Sequence, residues 1–180
     1  MSANLKKNSL FCFGLGFTAQ ALAKRMRSNK WNILGTCRSK DRKSSLKELS
    51  VFSFDGTHAT EEIRNALTKA THLLISIPPQ PSGDVVLKNF SSQIAECKNL
   101  QWIGYISSTG VYGDTQGEWV DESSPLQPET ELNLRRVEAE KNWLKMTPVM
   151  IFRCAAIYGP GRNLILSVKQ GRARRIEKLG

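Results

Sequence analysis

Apolar residues in this chain come in short runs, separated by stretches in which they recur every three or four positions. Leu10–Phe13 is the first run, and it ends in Gly14-Leu15-Gly16. From Thr18 to Met26, Ala19, Leu22, Ala23 and Met26 fall on one helical face. Further strands are predicted at residues 31–37, 51–55, 73–77, 102–107 and 149–153, the fourth strand being stopped by Pro78-Pro79. Helices are predicted at 60–67, with Thr60 as N-cap, at 83–98 and at 131–145. Strand and helix alternating at this spacing imply an α/β fold, a doubly wound parallel sheet in a single domain over residues 1–180. Ligands of such sheets lie outside the carboxyl ends of the strands. That rule gathers Gly14, Arg38, Asp55, Pro78 and the Ser107-Ser108 pair along one edge.

The first turn carries the clearest candidate chemistry. Gly14 permits a tight turn, Gly16 lets backbone approach a pyrophosphate, and Ala19 lets the helix pack close to the sheet. Phosphates would then sit over Phe17 and Thr18, where unpaired N–H groups and the helix dipole favour an anion. A plain strand-to-helix turn is the alternative. NAD-binding folds carry an acid for the ribose 2′-hydroxyl ~20 residues past the glycines. Here Arg38-Ser39-Lys40 stands at about that place, with only Asp41 acidic nearby. A guanidinium donates two hydrogen bonds to a phosphate at once, so the expected cofactor is NADP(H) and not NAD(H).

Charge sharpens that expectation. The chain carries a formal charge of +10, and residues 1–47 hold eleven Lys/Arg against one acid. A tail from Arg162 is basic again. Nucleic-acid binding is the rival reading, but no recognition motif accompanies the charge, and a solvated basic face explains the tail. At 180 residues and 40% hydrophobic, the chain suits one domain with a substantial core. No apolar run approaches the ~20 residues that span a bilayer, and no secretory signal precedes the first strand, so a cytoplasmic protein is expected. Cys12, Cys37, Cys97 and Cys154 form no Cys-x-x-Cys pair and read as reduced thiols, mostly buried on strands. With only His58 and His72, no metal site is expected.

Ser107-Ser108-Thr109-Gly110-Val111-Tyr112-Gly113-Asp114, with Arg153 and Tyr158-Gly159-Pro160-Gly161, resembles the extended short-chain dehydrogenase/reductases. These are also called the NAD-dependent epimerase/dehydratase family, of Rossmann-like fold. The resemblance implies that Ser108, four residues before Tyr112, hydrogen-bonds the reacting oxygen. It implies that Asp55, beside Gly56, contacts the adenine, and that Ser76, Ile77, Pro78 and Ser107 line the cofactor.

Departures from the family pattern are equally plain. Aligned on Arg136-Val-Glu-Ala-Glu140, Leu132 stands at the place of the family's catalytic Tyr and Arg136 at that of its Lys. Leucine cannot transfer a proton, and the 131–146 helix contains no Tyr. The glycine turn is Gly-x-Gly-x-x-Ala, and Leu74-Ile-Ser-Ile-Pro-Pro79 replaces the usual small-residue turn. These changes resemble the atypical branch of the family. The chain also stops where family members begin most of a substrate lobe, which residues 161–180 would start. A truncated product or a lost lobe is the expectation.

The implied activity is hydride transfer on a carbonyl, hydroxyl or nucleotide-sugar-type substrate, with Ser108 holding the oxygen. The alternative is a non-catalytic NADP(H) sensor or interaction protein, as a monomer or a homodimer. Ser108 as loop cap and Ser108 as catalyst stay equally open. Tyr112 and Tyr158 read as packing residues, with Tyr112 a weak second catalytic candidate. Trp31, Trp102, Trp119 and Trp143 read as core or rim residues, and Glu138 and Glu140 as a solvated helix face.

Overall fold

A computed structural model of the chain describes residues 8–38, 46, 49–146 and 149–174. Six strands form one parallel sheet: β1 (Ser9–Phe13), β2 (Asn32–Cys37), β3 (Ser50–Ser53), β4 (His72–Ile75), β5 (Trp102–Ser108) and β6 (Val149–Cys154). Their order is β3-β2-β1-β4-β5-β6, so the winding reverses between β1 and β4. Among the described residues there are five α-helices: α1 (Phe17–Arg27), α2 (Glu61–Leu67), α3 (Val85–Glu96), α4 (Glu131–Trp143) and α5 (Leu164–Lys169). The expected class and alternation are met, with strand ends shifted by one or two residues. β3 and β4 stop earlier than predicted, because single backbone bonds from Phe54 to Cys37 and from Ser76 to Phe13 finish the ladders.

Every residue of β1 is buried, as a central parallel strand packed on both faces requires. Phe11 and Phe13 face α2 and α3, where Phe13, Phe54 and Phe90 form a cluster with ring centroids 5.0–6.0 Å apart. Leu10 and Cys12 face α1, whose buried Ala19 and Ala23 let the helix lie close. Burial pushes the Cys12 thiol up to about 12, which makes it a small apolar core residue. The helix starts follow local chemistry. Thr60 caps α2 by accepting from the Ile63 amide, as predicted, and Asp84 caps α3 by accepting from Val86 and Leu87.

Several expectations need correction. Trp119 is 98% exposed and Tyr158 is 81% exposed, so neither packs in a core; both sit in loops beyond the strand ends. Glu140 is not on a solvated face. It is buried on the side of α4 that meets β6, where Arg153 compensates its charge. Cys97 and Cys154 are only partly buried, and none of the four cysteines is in a disulfide. Among the described residues, no helix is long and apolar enough to cross a membrane, and no group of three His, Cys, Asp or Glu side chains could hold a metal.

Candidate functional site

The chain leaves β1 through Gly14, whose φ of +88° suits glycine. A side chain here would also collide with Ile77, whose Cγ1 lies 2.9 Å from the place of its Cβ. The turn is held by the Gly14 amide donating to Thr36 Oγ1 (2.9 Å) and by Leu15 donating to the Thr36 carbonyl (2.7 Å). Gly16 is the N-cap of α1, and no side chain caps that end. Its first amides are therefore available to an anion. Phe17 packs against Gly159, and the Arg162 guanidinium lies over its ring at 5.6 Å, so the Tyr158–Arg162 loop closes against the first turn of α1.

A cleft of about 690 Å³ opens at the winding reversal, outside the carboxyl ends of β1–β4. Gly14 and Gly16 form one part of it, Arg38 and Asp55-Gly56 another, and Ser76-Ile77-Pro78 a third. Eight of the residues predicted for a cofactor are thus brought together. Phe17, Thr18 and Ser107 do not line it, although the first two stand directly beside Gly16. Ser39 lies outside the described residues. Asp55 accepts from the Thr57 hydroxyl (2.7 Å) and amide (2.8 Å) through Oδ1. The Thr57 side chain first, then its amide, holds the carboxyl down at about 2.

The end of β5 forms a second polar region. Ser108 Oγ accepts from the Gly110 amide (3.2 Å) and opens a 3-10 turn over Thr109–Tyr112. The capping role is therefore present in the structure. Ser107 Oγ is buried and has no hydrogen-bond partner. Tyr112 OH accepts from Arg153 Nη1 (2.9 Å), and its ring lies 5.0 Å from the guanidinium carbon. Arg153 in turn pairs with Glu140 (3.0 Å) and donates to the Glu122 carbonyl (3.2 Å). That network gives Tyr112 a packing role. Arg136 donates to the Ile106 carbonyl (3.3 Å), and Leu132 is half exposed.

Known proteins share this arrangement. The chain is 30% identical over 165 residues to protein YeeZ of Escherichia coli K12, covering 83% of this chain and 59% of YeeZ. A functionally unknown conserved protein of Silicibacter pomeroyi DSS superposes with a TM-score of 0.85 at 37% identity, over 96% of this chain and 61% of that one. A candidate NAD-dependent epimerase/dehydratase of Methylobacillus flagellatus superposes with a TM-score of 0.71 at 25% identity, over 91% and 59%. This chain has the epimerase/dehydratase fold. No family model matches it. It spans about three fifths of the length of these relatives.

In open parallel sheets, ligands bind at such a reversal of winding, outside the carboxyl ends of the strands. Sequence reasoning missed three contributors to this region. Thr36 looks like an ordinary strand residue, yet its hydroxyl fixes the glycine turn. Gln80 follows two prolines and reads as loop, yet it lines the cleft. Its place just after the fourth strand, on the ligand edge of the sheet, was the available signal. Glu140 differs, since nothing in helical spacing marks it as the partner of Arg153, which is thirteen residues away.

Proposed function

We propose that this chain binds NADP(H) in the cleft between β1 and β4, as the cofactor half of an oxidoreductase-like epimerase/dehydratase. The observation that carries this reading is the cleft itself, with an uncapped glycine turn and an exposed Arg38 on its lining. The residues fit the group. Space beside Gly16 is open, the nearest atom to an added Cβ being Ser76 Oγ at 3.9 Å. The α1 amides would hold the pyrophosphate, Arg38 the ribose 2′-phosphate, and Asp55 the adenine amine. The bound nicotinamide supplies hydride donation or acceptance. Ser108 would orient the substrate oxygen, since its hydroxyl can still donate while accepting from Gly110.

A second reading, a dinucleotide-binding sensor or interaction protein without turnover, is favoured by one observation. The two positions of the family's proton-transfer pair hold Leu132 and an Arg136 tied to backbone. NAD is the rival cofactor, because the Methylobacillus relative is described as NAD-dependent. Calorimetric titration of both dinucleotides tests the choice. Charge-assisted hydrogen bonds contribute roughly 1.5–3 kcal/mol each, so two from Arg38 would favour NADP about a hundredfold. Arg38→Ala should remove most of that margin and leave NAD binding unchanged. Equal wild-type affinities for the two would overturn the NADP assignment.

A further inference from the structure

Gln80 stands in a short and unusually rigid stretch. Its backbone exchanges two hydrogen bonds with Gly83, each 2.9 Å, closing a two-residue turn of Pro81 and Ser82. Buried Pro79 precedes it, and proline fixes φ on both sides. The loop therefore fixes the backbone from which the Gln80 side chain projects. That side chain lines the cleft and reaches the end of β3, where its Nε2 lies 3.3 Å from the place a Gly56 Cβ would take. Gly56 has a φ of +101° and no side chain, so it leaves room for the amide. α3 holds it there, because Asn89 Nδ2 donates to the Gly56 carbonyl (3.1 Å) and to the Val85 carbonyl (2.8 Å). Among the described residues, the Gln80 amide has no side-chain hydrogen-bond partner.

We propose that Gln80 is a specificity residue that reads the adenine of the bound dinucleotide together with Asp55, its amide lying beside the neighbouring Gly56. This rests on the cofactor reading above. A carboxamide offers one acceptor and two donors in a plane, and adenine presents an amine donor beside a ring-nitrogen acceptor. Glutamine pairs with such an edge through two bonds, worth about 1–3 kcal/mol in discrimination between bases. Asp55 can only accept, so alone it selects for the amine and leaves the ring nitrogen unread. Gln80 supplies the missing donor. The Pro-Pro-Gln-Pro sequence, which departs from the family's small-residue turn, is then a device for aiming one side chain.

The test compares NADP with an analogue whose base keeps the amine but carries C–H in place of the two ring nitrogens beside it (1,7-dideazaadenine), titrated calorimetrically into the wild-type chain, Gln80→Leu and Gln80→Glu. Circular dichroism checks the fold of each variant. Wild type should prefer NADP. Both substitutions remove the donor, so both should weaken NADP about tenfold and the dideaza analogue less, so that the preference narrows. Equal losses for both ligands would mean that Gln80 only packs against the base, and would overturn the assignment while sparing the cofactor reading. A wild-type chain that binds neither ligand would overturn both.

Discussion

Asp55 shows how one residue is tuned by its immediate neighbours. The carboxylate is exposed, so burial does little to it, and the Thr57 hydroxyl and amide stabilise its charged form. The folded value lies near 2, below the ordinary 3.8, so any stability it lends is complete above pH ~4 and is lost as pH falls through the folded value. An acceptor for an adenine amine therefore persists throughout the mildly acidic range. Thr57→Val removes the strongest of these hydrogen bonds and keeps the amide. The Asp55 carboxyl should then titrate well above 2, moving towards 3.8, as read by carbon-detected NMR. A value that stays near 2 would assign the whole shift to backbone amides.

At the level of elements, α4 is held to the sheet by an ion pair as well as by apolar contact. Glu140 is 1% exposed and meets Arg153 of β6, which also reaches Tyr112 and the Glu122 carbonyl. Glu140→Ala would leave a partly exposed guanidinium that keeps the Tyr112 hydroxyl and the Glu122 carbonyl, so the cost should fall below the ~3–5 kcal/mol of a fully buried pair. Urea unfolding should show a lower midpoint with an unchanged slope. Glu140→Gln should cost less, because a carboxamide oxygen still accepts from Arg153. These contacts also explain which parts of the structure the sequence disclosed. β1, α1 and the Thr60 cap were legible because periodicity and capping are local. The edge collecting Gly14, Arg38 and Asp55 was legible because strand ends follow from alternation. The partners of Glu140 and the reach of Gln80 were not, since each depends on segments brought together across the sheet. Trp119 was misread for a different reason. Its size suggests burial, but its loop stands clear of both core layers.

At the scale of the molecule, the described residues cover the sheet unevenly. α2, α3 and α4 lie on one face, while α1 on the other face packs near β1 and β2. Met150 and Phe152 are 54% and 39% exposed, and their register partners on β5 are Gly104 and Ile106. Contiguous apolar surface of this kind promotes association. Replacing both residues with threonine keeps strand-forming side chains, so light scattering at high concentration should fall while the melting temperature changes little. A lower melting temperature would show that the two side chains support the sheet. The division of the cleft along the chain matters in another way. Every residue that lines it falls between Gly14 and Val85, whereas Ser107, Ser108 and Arg136 all lie beyond. A substitution in one stretch leaves the residues of the other unchanged. Inheritance can therefore rewrite the later stretch, changing or silencing a reaction, while the earlier stretch goes on being selected for holding a nucleotide.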